Sequence, residues 1–241
     1  MSNKKPISKK DKKFLIQKSL SALENISYYK TLKILESYYK KYDFDDELLY
    51  HLGMLYDHLG QVFLNGFRTK PHAKKSNQYF NKAIYIFNKA LKFNHKSYRA
   101  LYGIGKVYRN QKKYEKALQY SKKAYKIALK EKAKSVYGIG FIYEMMGKNK
   151  DAERWYLKEI KDRGINDFAV VTNYIIFSNR VYRQKMDTIA EQAFKLYKQK
   201  SNSFKNSVFG REIKHDIDII LYKNNPFKHI KQINLQKKKP K

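Results

Sequence analysis

The sequence predicts an all-α protein, a solenoid of helix-turn-helix repeats with helical caps. Three observations carry this reading. The stretch YGIGKVY (102–108) nearly recurs as YGIGFIY (137–143), so that Gly105 and Gly140 stand 35 residues apart; periods of 20–50 residues mark repeat architectures. Around both copies apolar residues recur at intervals of three and four, the spacing of amphipathic helices. The 241 residues include only 10 Gly and 4 Pro, which favours long helices over turn-rich β structure.

Residues 1–13 are polar and Lys-rich and read as a basic, disordered tail, and 14–45 as an N-terminal helical cap. The first repeat (46–97) places Leu49, Leu52, Gly53 and Tyr56 on one helix and Phe80, Ala83, Phe87 and Ala90 on the next. Its two halves are separated by 18 residues more than those of the second repeat, an insertion at about 61–75. Long loops of this size are often functional. The simpler reading lengthens both helices and packs Phe63 on Phe67.

The second repeat (98–132) has Leu101, Ile104, Gly105 and Tyr108, then Tyr114, Ala117 and Ala124. The third (133–166) has Val136, Ile139, Gly140 and Tyr143, then Ala152 and Tyr156. Gln111-Lys112-Lys113 and Gly147-Lys148-Asn149 are the turns. Gly105 and Gly140, opposite Ala117 and Ala152, are expected to let the paired helices approach closely. A degenerate fourth repeat (171–200) keeps Tyr174, Phe177, Ser178, Ala190 and Phe194. A capping helix (201–227) and a basic tail (228–241) follow.

The G-x-G could instead be a phosphate turn. That requires a preceding strand and a third glycine, and both are missing here. The pattern, clearest in YRALYGIGKVYRNQKKYEKALQYSKKAYKIA (98–128), resembles the tetratricopeptide repeat over roughly 46–200. The resemblance implies a right-handed superhelix whose first helices line a concave groove. It places Tyr50, Arg99, Tyr102, Lys106, Arg109, Asn110, Lys134, Tyr137, Phe141, Asn179 and Arg183 toward a partner. Glu47, His51, Met54, Asp57, His58, Glu144, Met145, Thr172, Ile175 and Tyr182 occupy equivalent positions. Tyr and Arg are the residue types that dominate binding hot spots, although Tyr102 and Tyr137 could instead pack between repeats. Chaperone-binding relatives begin a Lys/Asn/Arg carboxylate clamp where this chain has Tyr50, Tyr102 and Tyr137, so a chaperone tail is not the expected ligand.

The formal net charge is +32, from 53 basic and 21 acidic residues. Such an excess points to an anionic partner. AT-rich coding explains Lys over Arg but not Lys over Glu, so a compositional and a functional origin both stay open.

Catalytic chemistry finds little support. With no Cys, disulfides, thiolate metal sites and a cysteine nucleophile are excluded. The six histidines form no H-E-x-x-H, and no G-x-S-x-G or G-K-[ST] motif occurs. His215 and Asp218 could seed a metal site but read better as a helix-surface cluster. No apolar run is long enough to span a membrane, and Phe14-Leu15-Ile16 is too short for a signal-peptide core, so a cytoplasmic protein without metal or cofactor is expected. The sequence reads as a non-enzymatic scaffold that binds an extended or helical, acidic protein segment. The alternative is single-stranded nucleic acid or RNA binding through the basic, Tyr-rich surface.

Overall fold

A computed structural model of the chain describes residues 4–25, 27–66, 71–131, 133, 138–164, 168–181, 187–202 and isolated positions from 205 to 218. It divides into two compact units, Met1–Gly138 and Ile139–Lys241.

The first unit is three helical hairpins. They comprise α1 (Lys9–Asn25) with α2 (Tyr28–Lys41), α3 (Asp46–Asn65) with α4 (Ala73–Phe93), and α5 (Tyr98–Asn110) with α6 (Tyr114–Lys130). A two-residue strand β1 (Lys5–Pro6) runs parallel to β2 (Tyr42–Asp43), pairing Lys5 with Tyr42. Structure therefore begins inside the segment read as a tail. Ser8 starts α1: its Oγ accepts from the Asp11 amide at 3.0 Å and donates to the Asp11 carboxylate at 2.7 Å, a local cap. Leu15 and Ala22 then bury fully, and Lys12 reaches Asp45 and Glu47. The lysine density of 1–13 hides this cap in the sequence.

The 61–75 insertion lengthens the hairpin. α3 runs 20 residues and α4 runs 21. Gly66, at φ 69°, ends α3 in the left-handed conformation that favours glycine. Phe63 stacks on Tyr79 with ring centroids 5.5 Å apart; Phe67, its expected partner, lies outside the described residues. The Ser76 hydroxyl donates to the Gly60 carbonyl at 2.8 Å and ties the two extensions together.

The centre of this unit is the Phe87 ring on α4. A Cβ at Gly53 on α3 or at Gly103 on α5 would come within 2.5 Å of that ring, so two glycines from two repeats make room for one aromatic side chain. Gly105 acts as expected. A Cβ there would lie 2.6 Å from the Ser121 hydroxyl and 3.3 Å from the Ala117 carbonyl, so α5 meets α6 backbone to backbone.

The second unit contains α7 (Ile139–Met145), α8 (Asn149–Arg163), α9 (Phe168–Val181) and α10 (Asp187–Lys198). Gly140 differs from Gly105 here: it faces the Tyr156 ring, which a Cβ would approach to 2.9 Å. Ala152 is nonetheless buried, in a cluster with Tyr156, Tyr174 and Phe177. Val171, Ile175, Ala193 and Tyr197 form a second cluster that includes Ile217, from the segment read as a capping helix. The tail 228–241 lies outside the described residues.

Candidate functional site

In the first unit the first helices of the hairpins are α1, α3 and α5, and α3 and α5 carry six of the anticipated binding residues. Polar side chains of these helices form two hydrogen-bonded groups, one around Asp57 and one around Glu47.

The first centres on Asp57, fully buried. Lys106 lies 2.9 Å from Oδ2, Gln61 donates to Oδ2 at 2.7 Å, and Asn110 donates to Oδ1 at 2.9 Å. A buried carboxylate is tolerated only when paired and hydrogen-bonded in this way. Lys106 and Asn110 thus join the second repeat to the first, a different task from facing a partner. Arg109 is half-buried, with Nη2 donating to Asn110 Oδ1 at 3.3 Å.

Toward the other end of α3, Glu47 accepts from Arg99 Nη1 at 3.2 Å and lies 2.9 Å from Lys12 Nζ. The hydrogen bond from Lys12, together with Arg99, outweighs partial burial and holds the Glu47 carboxyl below its ordinary pKa. Arg99 keeps 46% of its side chain exposed. Among the described residues of the first unit, Lys106 and Arg99 of the expected binding face are thus each paired with a carboxylate, and Arg99 keeps the more exposed side chain of the two.

Tyr50 is half-buried, edge-on to His51 and 6.1 Å from the Phe87 ring, and desolvation raises its phenol pKa. Tyr102 is half-buried beside it. His58 stacks on Tyr28 of α2 at 5.2 Å and 8°. Burial, reinforced by Lys106 and offset in part by Asp57, pushes its imidazole down to about 4.

Between α1 and α3 lies a pocket of about 70 Å³ lined by Ser19, Leu20, Tyr50, His51, Met54 and Leu55. Leu20 is 50% exposed at its edge. Arg99 is close enough to act electrostatically on both Tyr50 and His51. Sequence reasoning missed the α1 side of this pocket. Leu15, Ser19 and Ala22, spaced four and three apart, were the available signal that α1 packs like a first helix of a repeat.

Of the remaining expected residues, Lys134, Tyr137 and Arg183 lie outside the described residues. Phe141 and Asn179 belong to the second unit, on α7 and α9. Phe141 packs half-buried against the Ala152–Tyr156 cluster. Glu144 accepts from the Tyr156 hydroxyl at 2.9 Å and from Arg180 at 2.7 Å. Thr172 and Ile175 are interior, and Thr172 Oγ1 donates to the Phe168 carbonyl at 2.7 Å. Asp218 is paired with Lys214 at 2.5 Å, and among the described residues no three His, Asp or Glu gather as metal ligands would. No helix among the described residues is long and apolar enough to cross a membrane.

Residues 98–131 match the family model described as tetratricopeptide repeat. No curated protein sequence matches the chain. Among solved structures, PilF of Pseudomonas aeruginosa superposes with a TM-score of 0.55 at 16% identity, covering 94% of this chain and 97% of that one. MamA 41-end from Desulfovibrio magneticus RS-1 gives 0.48 at 20% identity, covering 78% and 97%. The PilF match shows a shared fold.

Proposed function

We propose that this chain, a tetratricopeptide-repeat protein, is a non-enzymatic scaffold that receives a protein segment on the first-helix face of its first unit. The observation that carries this is the α1–α3 pocket. Tyr50, Met54 and Leu20 offer an apolar seat, and Arg99 stands at its side with nearly half of its surface free. A seat for an apolar side chain next to an anchored guanidinium is how small interfaces gain both affinity and orientation. The segment we infer is extended or helical, with one apolar side chain for the pocket and an acidic residue to compete with Glu47 for Arg99.

The interior lysine and amides of the Asp57 network would then hold the face in shape. Removing Lys106 would leave a buried carboxylate short of its charge partner, which costs far more than a surface contact. Lys106 is therefore a poor test of binding, and Met54 and Arg99 are good ones.

The test is selection from a random-peptide library on the immobilised full chain. Enriched sequences should pair an apolar residue with Asp or Glu nearby, and their affinity should fall at least tenfold on Met54→Arg and about fivefold on Arg99→Gln, with the helical circular dichroism unchanged. Selected peptides that bind Met54→Arg as tightly as the parent would refute the site.

A further inference from the structure

The second helices of the first unit carry a different chemistry from the first. α4 contains five lysines, Lys74, Lys75, Lys82, Lys89 and Lys92, and neither Asp nor Glu. Lys75, Lys82 and Lys89 recur every seven residues. At 1.5 Å per residue this sets them about 10.5 Å apart along one side of the helix. None of the three is paired with a carboxylate among the described residues. Each instead lies over an aromatic ring: Lys75 is 4.8 Å from the Phe63 centroid, Lys82 is 5.9 Å from Tyr79, and Lys89 is 5.0 Å from Tyr85.

The row continues onto α2. Lys89 Nζ donates to the Tyr39 hydroxyl at 2.7 Å, and Lys4 lies over the Tyr39 ring at 4.0 Å. Glu36, the one acidic residue of α2, accepts from the Tyr56 hydroxyl at 2.5 Å. Tyr85 is 58% exposed, and Tyr29 on α2 is 57% exposed with Lys33 beside it at 4.9 Å. Asn77, Gln78, Asn81 and Asn88 are also exposed on α4, amides that can meet base edges.

We infer that this α2–α4 face is a binding surface for single-stranded nucleic acid. Evenly spaced lysines without internal counter-charges track a phosphate backbone. Exposed tyrosines supply ring faces on which unpaired bases stack. An anionic membrane would share the lysines but would need a run of apolar side chains to insert; on α4 Phe93, 67% exposed, is the single exposed Phe, and tyrosine and amides make up the rest of the face. The face is separate from the pocket between α1 and α3, so either reading can fail alone.

The experiment is fluorescence anisotropy of the full chain with a labelled oligouridylate, alongside flotation with phosphatidylcholine vesicles with and without phosphatidylserine. Log affinity should fall linearly with log salt, and the slope should shrink by about 2 when Lys75, Lys82 and Lys89 all become Gln. That triple variant should bind at least tenfold more weakly. Tyr85→Ala should weaken binding about tenfold with the slope unchanged, and Met54→Arg should leave the affinity where it was. Three results would each overturn the inference: affinity unmoved by the lysine triple; affinity unmoved by Tyr85→Ala, which would leave charge alone; or vesicle binding without oligonucleotide binding. Circular dichroism of each variant checks that the helices persist.

Discussion

Helices α4 and α8 hold the same place in their hairpins and solve charge in opposite ways. α8 packs four acidic and five basic residues into 15 positions. It pairs several internally: Arg154 with Asp151 one turn away, and Lys158 with Asp162 at 3.2 Å. α4 has five lysines with no acid on the helix. Their buried faces differ too. Both bury aromatic rings against glycines, α4 with Phe80 and Phe87 and α8 with Tyr156, but only the ring of α8 carries a hydroxyl, which serves Glu144. The positive charge of the chain is thus not spread evenly. Compositional drift would load both helices alike, so the contrast favours a local cause for the lysines of α4.

The largest test of this contrast is Phe87→Ala. It empties the space between Gly53 and Gly103 and should cost about 3–5 kcal/mol of unfolding free energy in urea titration. A loss below 1 kcal/mol would show that the two glycines do not close on that ring.

Next comes pH, through α3. The imidazole of His58 sits near 4 in the folded chain against 6.5 unfolded, so the unfolded state takes up the proton first. Stability is full above pH 6.5 and is lost as pH falls from 6.5 toward 4, by about 2–3 kcal/mol for this group. His58→Phe keeps a ring against Tyr28 and should flatten that part of the pH profile of the melting temperature. An unchanged profile would remove His58 as its source.

Tyr156→Phe should cost about 1 kcal/mol by leaving Glu144 with one hydrogen bond fewer, a smaller penalty than the apolar clamp of α4. Lys158→Ala, which breaks an exposed pair on α8, should cost about 0.3–0.5 kcal/mol and become silent in high salt. A larger effect there would mean that α8 depends on its surface pairs.

The hairpins were legible because the contact that closes them is local. Gly105 meets Ala117 and Ser121 within one repeat, and a 35-residue period exposes such contacts. The Phe87 clamp was not legible, because Gly53 and Gly103 lie 50 residues apart on different helices and only the fold shows that they face one ring. The bonds within the candidate face were not legible. The family resemblance implied one face for Lys106, Asn110 and Asp57, yet it is silent on whether residues of adjacent repeats satisfy each other. Their mutual bonds pair the Lys106 charge with Asp57 inside the first unit. The start of α1 was hidden by lysines that the Ser8 cap and Lys12 put to structural use. The seven-residue lysine recurrence on α4 was visible in sequence, but its meaning required the rings of Phe63, Tyr79 and Tyr85 beneath it.

Hydrogen exchange of the full chain, with and without a saturating selected peptide, reads the occupied face without assuming it. Slowed exchange should appear in the segments around Leu20 on α1 and from Tyr50 to Met54 on α3, with α4 unchanged. Protection centred on α4, or none on α1 and α3, would contradict a protein-binding face built from the first helices.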